Sequence, residues 1–84
     1  MQIDDWNQMA TKALLADAER AVALTQANTH ESDAAPEMVA NARKNYIDLQ
    51  RRSRPLIMSD GDLIAFQHLL DRLRACLRFF GESV

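Results

Sequence analysis

The sequence predicts an all-α protein, a three-helix up-down-up bundle in which residues 1–84 form one helical domain. Three observations point there. Hydrophobic residues make up 48% of the chain, enough for a core and too many for a disordered protein. Gly and Pro occur only twice each, and Ala and Leu outnumber Val, Ile and Thr, a balance that favours helices over strands. Finally, Met58-Ser59-Asp60-Gly61-Asp62-Leu63 is a strong helix start. Ser59 is placed to cap, Asp62 to reach back as a capping-box acid, and Met58 and Leu63 to close a hydrophobic staple.

The first helix is expected from about Asp4 to Ala27. Asp4 and Asp5 complement the positive end of its dipole. At 100° per residue, Ile3, Trp6, Ala10, Ala13, Leu14, Ala21 and Leu24 share one side, which is the expected core face. Asp17 projects within that side and is expected at the surface, because unpaired buried carboxylates are costly. A second small patch, Leu15, Ala18 and Val22, lies on the back of this helix.

Asn28-Thr29-His30-Glu31-Ser32-Asp33 is a polar, turn-rich connector, with Asp33 or Ala35 as the next cap. Pro36 suits the first turn of a second helix, where its missing N–H costs nothing. That helix should run to about Arg52 with an apolar stripe of Met38, Val39, Ala42, Tyr46 and Leu49. Pro55 forces Arg54 out of helical geometry and ends it. Leu56-Ile57-Met58 has no partner strand and is expected to fold back over the end of the bundle.

The third helix should extend from Ser59 to a stop at Gly81, about 22 residues and roughly 33 Å at 1.5 Å per residue. Leu63, Ala65, Phe66, Leu69, Leu70, Leu73, Cys76, Leu77 and Phe80 fill an apolar arc of about 160°, wide enough for two neighbours. This helix is therefore expected to be central, with Ile64 and Phe79 outside the arc or at its margin.

Little in the chain points to catalysis. His68 with Asp71, and His30 with Glu31 and Asp33, do not supply the three or four converging ligands of a zinc site. Cys76 lies inside the apolar arc and reads as a small core residue rather than a nucleophile. Gly61 and Gly81 form no phosphate loop. No catalytic, cofactor-binding or metal-binding residue is assigned, and the chain is expected not to be an enzyme.

Charge is uneven. Residues 1–42 carry Lys12 and Arg20 against seven acidic residues, a balance of −5, and residues 43–84 carry eight basic and five acidic residues, a balance of +3. No apolar run approaches the ~18–20 residues of a membrane span. The acidic N-terminus has no Lys or Arg before Lys12, unlike a signal peptide. A single cysteine suits a reducing compartment, so a cytoplasmic protein is expected.

The leading expectation is a non-enzymatic protein–protein interaction module: an adaptor, small regulator or chaperone-like partner. Its candidate interface is Leu15, Ala18, Val22, Ile64 and Phe79, apolar residues beyond what one core needs. The partner is a second copy, giving a homodimer, or another helical protein. The alternative is a small nucleic-acid-associated regulator using Arg43, Lys44, Arg51, Arg52, Arg54, Arg74 and Arg78. Against it, several of these cations sit in the second halves of helices, where they complement the dipole. A nucleic-acid face would require them on one continuous surface.

Overall fold

The computed structural model describes residues 3–28 and 36–82, and all regular structure among them is helical. α1 spans Ile3–Asn28, α2 Pro36–Ser53 and α3 Asp60–Phe79. The three pack against one another in a rod with extents of 48 × 21 × 20 Å. α1 and α3 run the same way: Asn7 meets Ile57 just before α3, and Gln26 meets Arg72 further along it. Asn28, expected to open the connector, is the last residue of α1; the rest of the expected turn at 28–33 and the cap at Asp33 or Ala35 lie outside the described residues.

The ends of α3 follow from the sequence. The Ser59 hydroxyl accepts from the Asp62 N–H at 3.2 Å, and the Ser59 carbonyl accepts from the Leu63 N–H at 2.8 Å. At the other end Gly81 adopts a φ of 87°, a left-handed conformation that costs a glycine little. The Glu82 N–H then reaches the Leu77 carbonyl and the Gly81 N–H reaches the Arg78 carbonyl, both at 3.0 Å. These two bonds form a Schellman stop. α2 starts at Pro36 and closes at Ser53, whose hydroxyl donates to the Gln50 carbonyl at 2.7 Å.

The core is built from Leu14, Ala18, Ala21 and Val22 of α1, Ala42, Tyr46 and Leu49 of α2, and Phe66, Leu73 and Leu77 of α3. On α2 the expected stripe supplies the buried Ala42, Tyr46 and Leu49, and on α3 the expected arc supplies Phe66, Leu73, Cys76 and Leu77, while its edge residues Leu63 and Ala65 are exposed. Of the face expected on α1, Leu14 and Ala21 are buried but the bulky residues are not. Trp6 and Leu24 are exposed, and the buried positions are Thr11, Leu14, Ala18, Ala21, Val22 and Thr25. Without Val22 their spacing is 3-4-3-4, a heptad seam, and the buried face as a whole is rotated by roughly 80° from the expected one at 100° per residue. Two threonines hide this seam from hydropathy. Their hydroxyls bond back to their own helix, Thr11 to the Asn7 carbonyl at 2.8 Å and Thr25 to the Ala21 carbonyl at 2.7 Å. Satisfied in this way, they are buried without an orphan polar group.

That rotation corrects two further expectations. Ala18 and Val22, at 1% and 2% exposure, belong to the core, and Leu15 packs half-buried against it. The patch on the back of the first helix is therefore core. α3 is also not the single central element. α1 packs closely on both neighbours, while α2 and α3 meet least. Small residues explain this, because Ala18 and Ala21 let other helices approach α1 closely.

Candidate functional site

The weak α2–α3 pairing leaves an open groove of about 450 Å³ at the end of the bundle where α3 begins. Leu56, Met58, Leu63, Phe66 and Leu70 supply its apolar lining, and Gln50, Ser53, Arg54 and Gln67 its polar rim. Phe66 is buried, Leu56, Met58 and Leu70 are half-buried, and Leu63 is exposed. Met58 and Leu63 are the two staple positions of the α3 start, so the device that begins the helix also lines the groove.

The connector 54–58 divides this end of the molecule. Arg54 and Pro55 form a turn, in which the Leu56 N–H reaches the Ser53 carbonyl at 3.1 Å. Arg54, Leu56 and Met58 face the groove, while Pro55 and Ile57 face a second cleft together with Trp6, Asn7 and Lys12 of α1. Asn7 holds the connector in place. Its amide donates to the Ile57 carbonyl at 2.6 Å and its side-chain oxygen accepts from the Ile57 N–H at 2.9 Å. The Ile57 side chain is left 85% exposed, beside a Trp6 that is 51% exposed. Met9, one turn on from Trp6, is exposed as well.

The interface expected from sequence does not assemble. Ala18 and Val22 are buried, and Leu15 packs on the core. Ile64 and Phe79 are exposed at 55% and 66%, but 15 residues of helix separate them by roughly 22 Å. Phe79 instead meets the Phe80 ring edge-on at 5.6 Å.

The cations divide into engaged and free sets. Arg52 turns towards α1 and pairs with Asp17 at 2.9 Å and with Asp48 at 3.5 Å. Asp17 is thus paired across helices and half-exposed, neither buried nor left alone. Arg74 donates to the Tyr46 hydroxyl at 2.9 Å, lies 5.8 Å from the centre of its ring, and reaches Asp71 at 3.9 Å. The hydrogen bond to Tyr46 raises the Arg74 guanidinium above its ordinary value, so it stays charged. Arg78 is exposed near the end of α3. Arg43, Lys44, Arg51 and Arg54 are exposed and form no ion pair among the described residues. Two of the seven cations, Arg52 and Arg74, are thus engaged within the bundle.

Reactive groups are sparse. Cys76 is buried, and desolvation pushes its thiol above the ordinary value despite the opposing charge of Arg72. Such a thiol stays protonated at neutral pH and is a poor nucleophile. Among the described residues no cluster of three or more His, Cys, Asp or Glu is arranged to hold a metal, and His30, Glu31 and Asp33 lie outside them. No described helix is long and apolar enough to cross a membrane.

No protein-family model matches the chain, and neither does any curated protein or solved structure.

The groove was only partly visible in the sequence. The 160° arc of the third helix, read as a face for two neighbours, includes Leu63 and Leu70 of the groove. The Asn7 clamp and the exposure of Trp6 and Ile57 had no signal in hydropathy, because they depend on how α1 is rotated.

Proposed function

We propose that this chain is a non-enzymatic helical interaction module of the cytoplasm, acting as an adaptor, small regulator or chaperone-like partner by seating the apolar face of a helix in the α2–α3 groove. One observation carries this: Leu56, Met58, Leu63 and Leu70 line an open cleft and stay partly in water, with hydrogen-bonding side chains only at the rim. An amphipathic helix presents apolar anchors at i, i+3/i+4 and i+7, which is what such a cleft accepts. Nucleic-acid contact is the less favoured alternative, since Arg52 and Arg74 are engaged within the bundle.

The test compares the parent chain with Leu63→Glu as baits. Leu63 is exposed, so a charge there leaves the helices intact, and circular dichroism checks that. A helical protein, a second copy of this chain included, should be retained by the parent and lost from Leu63→Glu. Equal capture by both baits, or none by either, overturns the proposal.

A further inference from the structure

We infer that the occupant of the groove is the Trp6 end of a second copy of this chain, the two copies being related by a two-fold axis that passes close to connector 54–58. This occupant presupposes the helix-binding role proposed above and identifies the partner.

A two-fold contact needs complementary patches side by side on one surface, so that each copy gives what it receives. The connector supplies that arrangement. On one flank stand Trp6 and Ile57, two large apolar side chains in water. On the other lies the apolar groove of Leu56, Met58 and Leu63. Trp6 cannot enter its own groove, because Asn7 pins α1 to the opposite flank of the connector by two hydrogen bonds. A second copy rotated about the connector brings each Trp6 to the other's groove. Tryptophan is the residue most suited to such a pocket, since one side chain buries a large rigid surface.

Charge matches in the same sense. Asp5, exposed beside Trp6, forms no ion pair among the described residues, and neither does Arg54 on the groove rim. The two-fold operation sets Asp5 of each copy against Arg54 of the other. Chain size agrees, because a domain of 84 residues buries a smaller share of its surface than a larger one does and gains more from a partner.

Trp6 is the chain's single tryptophan, so its fluorescence reports on the contact directly. Sedimentation equilibrium of the parent chain should show the mass rising from 9.5 kDa to twice that value with concentration. Trp6 emission should shift to the blue over the same range. Trp6→Ala, Leu63→Glu and Arg54→Glu should each weaken the dimer by about tenfold or more. Adding Asp5→Arg to Arg54→Glu should restore it, since every chain then carries both reversed charges. A 9.5 kDa mass throughout the micromolar range overturns the inference, as does a dimer indifferent to these substitutions while circular dichroism stays helical. A monomer that still captures another protein through Leu63 sinks self-docking and leaves the helix-binding role standing. Loss of both sinks the two together.

Discussion

Ser59 and Val22 show how far single positions can be read. Ser59 precedes an apolar-periodic run, and its hydroxyl accepts from the Asp62 N–H as a cap should. Ser59→Ala should cost about 1 kcal/mol. In a domain of this size that lowers the melting temperature by roughly 4–8 °C. An unchanged thermal midpoint would show that the cap carries no weight. Val22 projected onto an outer patch in sequence, where truncation would be mild. In the fold it is 2% exposed. Val22→Ala removes two buried methyl groups, a loss of about 1.6 kcal/mol at 0.8 per group before any cavity term. Chemical denaturation at several protein concentrations distinguishes the two placements. A core residue gives the same loss at every concentration, whereas an interface residue gives a loss that grows with assembly.

Element boundaries were legible because they depend on local chemistry. Pro36, Pro55, Ser59 and Gly81 act within a few residues of themselves, and the helices begin and end beside them. The face of α1 was not legible, because facing is decided by neighbours. Trp6 and Leu24 drew the projected stripe towards bulk, while the bundle required small residues and accepted Thr11 and Thr25 in the seam. Thr25 makes this testable. Its hydroxyl bonds only to the Ala21 carbonyl four residues back, among the bonds of the described residues. Thr25→Val therefore removes a polar group from the core and leaves no described partner unsatisfied. The melting temperature should rise. A fall would mean that the hydroxyl holds something besides its own helix.

Across the whole molecule, packing is uneven, and the unevenness places the groove. α1 and α3 share the longest contact, sealed by Leu14, Leu73 and Leu77, the largest fully buried side chains along with Val22. α2 contributes Ala42, Tyr46 and Leu49 to the core and is tied to its neighbours at the margins, by Arg52 to Asp17 and by Tyr46 to Arg74. The half-exposed Arg52–Asp17 ion pair contributes little and weakens further in salt. Stability should therefore be graded, with α2 opening before the α1–α3 pair separates. Native-state hydrogen exchange measures this directly. Amides in the middle of α2 should exchange through an opening at least ~1 kcal/mol cheaper than those near Leu14 and Leu73. Added salt should lower the α2 value and leave the α1–α3 value nearly unchanged. Equal protection in all three helices would mean that the bundle opens as one unit, and that the groove is a static cleft rather than the edge of its most loosely held helix.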